Sequence, residues 1–160
     1  MKQLLLAAAL LSFARPAAAQ EAIYIVRHAE RADQSADSGL STKGVGRAYQ
    51  LRDLLHDAGI TSVITTELQR TIETAKPLAD ARHLTPVRVA AADAPALVAR
   101  LAAAGARDRV LVVGHSNTVP ALLRALGADP SITIADDEYD NLFIVVPQKE
   151  GRSVLLRLRY

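Results

Sequence analysis

Short apolar runs alternate with longer stretches in which apolar side chains recur every three or four residues, and the alternation continues from residue 22 to the end of the chain. The runs "AIYIV" (22–26), "SVIT" (62–65), "PVRVA" (86–90) and "RVLVV" (109–113) have the length and β-branched content of buried strands. Each is followed by a segment of helical character. The first predicted helix starts after Ser41, a good N-cap, carries Val45, Ala48, Leu51, Leu55 and Ala58 on one face, and stops at Gly59. The second runs from about Glu67 to Arg82, the third covers Pro95 to Ala104, and the fourth begins near Asn117 and ends before Gly127. Two last strands, "NLFIVV" and "SVLLRL", are joined by residues 147–152 and can close a hairpin.

Strand and helix in alternation predict an α/β fold, a three-layer α/β/α sandwich with a mostly parallel central sheet and a C-terminal hairpin. The continuous apolar runs ahead of Arg27 and Gly114 suit strands covered on both faces, so these two should be central. In such open sheets ligands bind at the carboxyl ends of the strands. Both central runs end in a histidine, "YIVRH" and "LVVGH". His28 and His115 should therefore emerge at one edge although they lie far apart in the chain.

The first residues belong to a different pattern. "MKQLLLAAALLSFARPAAAQ" has a basic start, an apolar block and small residues at Ala17 to Ala19, the layout of a secretory signal peptide cleaved near Ala19. That expectation leaves one domain over residues 20–160, exported to the periplasm or beyond, with no stable membrane insertion after processing. The block is far shorter than the roughly 20 residues that span a bilayer. Removing it takes away Lys2 and Arg15 and no acid, so 17 basic residues face 17 acidic ones and the basic pI of the whole chain disappears. Without a basic run or many aromatics, nucleic acid is not an expected partner. The absence of cysteine excludes disulfides and thiolate metal sites. His56 and His83 lie in or at the end of predicted helices with no ligand spacing, so no metal is expected.

A lone histidine after a strand is more often packed or solvated than catalytic, but two at equivalent strand ends are harder to dismiss. Arg70 adds a third element, since "TTELQRTIETA" places it in the first turn of a helix that again follows a strand. Taken alone, it reads better as an exposed helix residue paired with Glu67 or Glu73.

Together these segments resemble the histidine phosphatase superfamily, whose members include phosphoglycerate mutases and many small phosphatases. The opening Arg-His motif of that family resembles Arg27-His28, its Leu-Ser/Thr-x-x-Gly helix start resembles "LSTKG", its Ser-x-Leu-x-Arg-x-x-x-Thr-Ala segment resembles "TELQRTIETA", and its second-histidine motif resembles "VVGHSNT". Thr66 stands where the family usually has serine. The resemblance implies a phosphohydrolase in which His28 is the nucleophile that takes the phosphoryl group, while Arg27, Arg70 and His115 surround the transferring phosphate. It implies no cofactor and no metal, and a partner that is a small phosphorylated substrate or a phosphoprotein. Guanidinium forks suit the equatorial oxygens of a phosphoryl group in flight, and cationic neighbours should keep the imidazole of His28 unprotonated.

The family often draws a leaving-group acid from the segment after the Arg70 helix, and no clear match occurs here. Glu30 and Asp93 are the possible general acids, and each also reads as a solvated surface carboxylate. The acidic stretch "ADDEYDN" (135–141) is either a solvated loop or a rim that meets the charge of a substrate. Two other readings remain. One is a non-catalytic phosphate-binding module on the same fold. The other is a serine hydrolase using Ser116, against which stand Thr118 at the elbow's closing glycine and the lack of any histidine after Ser116.

Overall fold

In chain order the elements are β1 (Ala22–Arg27), α1 (Thr42–Leu54), β2 (Ser62–Thr66), α2 (Gln69–Ala81), β3 (Val87–Val89), α3 (Ala94–Ala102), β4 (Arg109–Gly114), α4 (Thr118–Ala125), β5 (Asn141–Val146) and β6 (Val154–Arg159). The computed structural model describes residues 21–105, 107–148 and 150–160, and the leader read in residues 1–19 lies outside them. The strands form one sheet in the order β3-β2-β4-β1-β5-β6. The first four neighbours pair in parallel, and β5 and β6 join antiparallel as the hairpin. This is the mostly parallel α/β/α sandwich that the apolar pattern predicts, with β4 and β1 in the middle.

Alternation along the strands divides the core in two. Ile23, Ile25, Val110, Val112 and Phe143 point to one face and pack with Leu97 and Leu101 of α3 and Val119, Leu122 and Leu123 of α4. Val26, Leu111, Val113 and Leu142 point to the other and meet Leu51 of α1 and Ala75, Leu78 and Ala79 of α2. Both faces of β1 and β4 are thus covered, which is why their sequences show no polar alternation.

One detail of the helical pattern is corrected. The apolar spacing puts Val45 on the buried face of α1, yet Val45 is 44% exposed and Gly44 is buried in its place. A Cβ at Gly44 would lie 2.2 Å from the Glu30 carbonyl oxygen, so α1 approaches the β1–α1 connection closer than any side chain permits. Ser41 caps this helix as expected, its hydroxyl accepting from the Gly44 amide at 3.1 Å. The "LSTKG" stretch therefore docks the start of α1 directly under the segment that follows β1.

Candidate active site

β1 and β4 lie side by side in register, with Arg27 opposite Gly114. The next residue of each strand is a histidine, and the ladder extends one step further through the His28 amide, which donates to the Gly114 carbonyl at 2.9 Å. The two imidazoles leave the sheet together, with ring centroids 5.3 Å apart in an edge-on arrangement. Gly114 makes the turn possible, because a Cβ there would meet Thr118 Oγ1 at 2.9 Å. That hydroxyl accepts from the His115 amide at 2.9 Å and locks the passage from β4 into α4.

A cleft of about 320 Å³ opens above the histidines, and Arg27, Arg31 and Arg70 share its lining with them. Arg27 is buried, its Nη1 donating to the carbonyls of Ala135 (2.8 Å), Asp136 (3.1 Å) and Glu138 (3.1 Å), and its guanidinium lies 4.2 Å over the Tyr139 ring. Arg70 Nη1 donates to the Ala36 carbonyl at 2.9 Å, and Arg31 Nη2 donates to Gln34 Oε1 at 2.6 Å. The Nε atoms of Arg27 and Arg70 are buried with no hydrogen-bond partner among the described residues. All the acceptors named here are neutral, so three positive charges converge with no carboxylate bonded to them; Asp136 is the one carboxylate in the lining, and Asp37 and Glu67 act on Arg70 from outside it. Burial, and then Arg31, push the Arg70 guanidinium below its ordinary pKa. Such a cluster is built for an anion.

The protonation state of His28 follows from its partner. A carbonyl can only accept, so Nδ1, 2.7 Å from the Ala29 carbonyl oxygen, carries the proton and donates it. The other ring nitrogen, Nε2, keeps its lone pair in the neutral ring. Burial lowers the pKa of His28 to about 3, partly opposed by the Ala29 bond and reinforced by His115, Arg27 and Arg70. His115 is lowered to about 4, first by burial and then by Arg70. Its Nε2 lies 3.1 Å from Thr66 Oγ1, which in turn lies 2.9 Å from Thr71 Oγ1. The Thr71 hydroxyl gives its one proton to the Leu68 carbonyl at 2.8 Å, so rotation of the Thr66 hydroxyl alone decides which ring nitrogen of His115 bears the proton. The threonine at position 66 keeps the hydroxyl that a serine would supply.

The cleft thus gathers Arg27, His28, Arg70 and His115, the four residues singled out from the sequence. It also holds Arg31, Ser116, Asn117 and Asp136. Glu30 and Asp93 do not line it. The Glu30 carboxylate accepts from Arg47 Nε and Nη2 at 2.9 and 2.8 Å and meets Lys43 at 3.2 Å. Burial alone would raise its pKa, but these cationic bonds outweigh that and bring it to about 2, a poor state for giving up a proton. Asp93 caps α3, accepting from the Ala96 amide at 2.8 Å. Arg31 follows His28 by three residues in an irregular segment, where neither helical nor strand periodicity assigns a direction. Its one sequence signal was its place in "VRHAER". Tyr139 and Asp136 come from more than a hundred residues away and carried no signal beyond the acidic stretch itself.

Among the described residues no cluster of histidine and carboxylate side chains is arranged to hold a metal ion, and no helix is long and apolar enough to cross a membrane. Residues 23–94 match the sequence model of the histidine phosphatase superfamily, branch 1. A relative named "Probable phosphoglycerate mutase GpmB" from Erwinia tasmaniensis is 42% identical over 66 residues, which are 37% of this chain and 31% of the relative. The match therefore spans about a third of that longer protein. Among solved structures, the alpha-ribazole phosphatase of Shigella flexneri superimposes with a TM-score of 0.70 over 87% of this chain and 96% of its own, at 15% identity. The protein histidine phosphatase SixA, complexed with tungstate, superimposes with a TM-score of 0.63 over 86% of this chain and 96% of its own, at 18% identity. At such identities the likeness is one of fold.

Proposed function

We propose, from the match of residues 23–94 to the histidine phosphatase superfamily, that this chain is a phosphohydrolase working through a phosphohistidine at His28. One observation carries the reading: the Ala29 carbonyl holds the proton of His28 on Nδ1, which leaves Nε2 as an unprotonated nucleophile beside three guanidinium groups. In the first step Nε2 attacks phosphorus as the bond to the leaving oxygen breaks, and that oxygen departs with the bonding pair and takes a proton from water. Arg27, Arg31, Arg70 and His115 hold the equatorial oxygens while charge spreads over them. In the second step water attacks the phosphohistidine, releasing inorganic phosphate and restoring the neutral ring. The Nδ1 bond to Ala29 matters in both, because the ring becomes cationic once Nε2 is phosphorylated and that bond then strengthens.

The fold neighbours include phosphatases, one of them a protein histidine phosphatase, and the curated relatives are mutases by name. Hydrolysis is preferred here because the connections after β2 and β4, residues 67–68 and 115–117, are too short to form a covering insertion that would hold a phosphorylated intermediate away from water. The leader pattern in residues 1–19 supports a site of action in the periplasm or outside the cell, where a small phosphorylated compound or a phosphoprotein would be the partner.

The test uses p-nitrophenyl phosphate with the wild type and His28→Ala. Rapid quenching at alkaline pH should trap an acid-labile, base-stable label on the wild type. The variant should form none and should lose turnover by at least about a thousandfold. Wild-type turnover matched by the variant would defeat the assignment. A wild type that binds phosphate but neither turns over nor becomes labelled would point to a binding module.

A further inference from the structure

The acidic stretch 135–141 carries four carboxylates, and the structure puts them to different uses. Glu138 and Asp140 pair with Arg159 at 2.8 and 2.5 Å, and Asp137 is exposed outside the cleft lining. Asp136 alone among the four lines the cleft, and no ion pair engages it among the described residues. It is also the lining's one carboxylate, set against Arg27, Arg31 and Arg70.

Its position is fastened to the reacting centre. Arg27, the residue before His28, donates through one nitrogen to the carbonyls of Ala135, Asp136 and Glu138 at 2.8, 3.1 and 3.1 Å. Tyr139 lies under the same guanidinium, 4.2 Å away, with its ring 6.0 Å from that of His28. The backbone of this segment is therefore held over the site from both sides of Asp136.

In-line attack adds a direction. A phosphoryl group seated on the arginines above His28 must point its leaving oxygen away from the attacking nitrogen, toward the mouth of the cleft. Asp136 is an exposed member of the lining, which places it at that mouth. With three guanidinium groups, one carboxylate and two neutral imidazoles, the lining itself carries a charge of two, moderated by Asp37 and Glu67 just outside it, so a phosphate monoester dianion suffices to neutralise it. A further negative charge on the leaving group would be unbalanced and would face Asp136. A positive one would be welcomed.

We propose that Asp136 selects substrates by the charge of the leaving group, favouring phosphate monoesters with a cation a few atoms from the ester oxygen and rejecting those with a carboxylate there. This inference rests on the phosphohydrolase reading above. It concerns what is attached to the phosphoryl group, on which the arginines and histidines are silent.

Three two-carbon esters of similar size separate the charges: ethanolamine phosphate (cationic), ethyl phosphate (neutral) and phosphoglycolate (anionic). In the wild type kcat/KM should fall in that order, and the ratio of the first to the last should be about a hundredfold at low salt. Asp136→Asn should reduce the ratio by about tenfold or more, and Asp136→Lys should invert the order. Asp137→Asn, in the same loop, should keep the wild-type ratio. Raising the salt should compress the ratio in the wild type more than in Asp136→Asn. A ratio unchanged by Asp136→Asn, or changed as much by Asp137→Asn, would overturn the proposal. Failure of p-nitrophenyl phosphate turnover and of His28 labelling would instead overturn the phosphohydrolase reading. The three esters, titrated calorimetrically against wild type and Asp136→Asn, then report the same selection as binding, and equal loss of affinity for all three would sink it.

Discussion

The cleft and the flank of the sheet beside the C-terminal hairpin each gather three arginines and treat them in opposite ways. On the flank every guanidinium has a carboxylate: Arg47 grips Glu30 at 2.9 and 2.8 Å, Arg159 meets Glu138 and Asp140 at 2.8 and 2.5 Å, and Arg157 reaches Glu138 at 3.6 Å. In the cleft Arg27, Arg31 and Arg70 bond to carbonyls and to one amide oxygen. A neutral acceptor orients a guanidinium without cancelling its charge. The difference shows how one residue type serves two ends: pairing with carboxylates ties elements together, while pairing with carbonyls leaves a net positive charge directed into the cleft.

The sharpest way to break this contrast is to remove a cleft arginine. Arg70→Ala should lower kcat/KM for p-nitrophenyl phosphate by about 10²- to 10³-fold, and it should reduce the rise in melting temperature that inorganic phosphate gives the wild type. On the flank, the largest effect belongs to stability. Glu30 and Arg47 have side chains only 12% and 14% exposed, so Arg47→Ala leaves a largely buried carboxylate with only the exposed Lys43 as cationic partner and should cost about 2 kcal/mol in urea unfolding. A double-mutant cycle with Glu30→Gln sharpens the point, since the second substitution should recover part of that loss.

Acid should separate the two regions as well. His28 and His115 have folded pKa values of about 3 and about 4, both below the ordinary imidazole value. Below about pH 6.5 the unfolded chain binds protons that the folded one refuses, so stability should decline as pH falls from about 6.5 toward about 4, by on the order of 1 kcal/mol per pH unit for each imidazole. Above pH 7 this contribution is complete and flat. Urea midpoints at pH 7 and pH 5 test it, and His115→Ala should show roughly half the wild-type decline. The smallest effect is expected at Arg159, an exposed partner of two carboxylates. Arg159→Ala should shift the urea midpoint only slightly, and high salt should erase the difference.

The pattern along the chain made the sandwich legible because burial on both faces leaves an unmistakable mark: "AIYIV" and "RVLVV" have no polar face to show. Their terminal histidines followed from that. Arg31 was harder, since four residues beyond a strand the backbone direction depends on what it packs against, here the start of α1 at Gly44 and the Glu30–Arg47 pair. Glu30 itself is a case where proximity in sequence misleads. Two residues from His28, it turns to the opposite side and bonds to Arg47.

Local sequence, then, determined the elements, the two central strands and the identity of the residues at their carboxyl ends, because these depend on short-range sterics and on which side chains avoid water. Only the tertiary structure decided the rest: that His28 is held in one tautomer by its neighbour's carbonyl, that a third arginine joins the cleft, and that Arg27 reaches more than a hundred residues along the chain to seat Asp136 at its mouth. Those outcomes depend on distances between segments that no periodicity encodes, and on which acceptor happens to lie within reach once the sheet has closed.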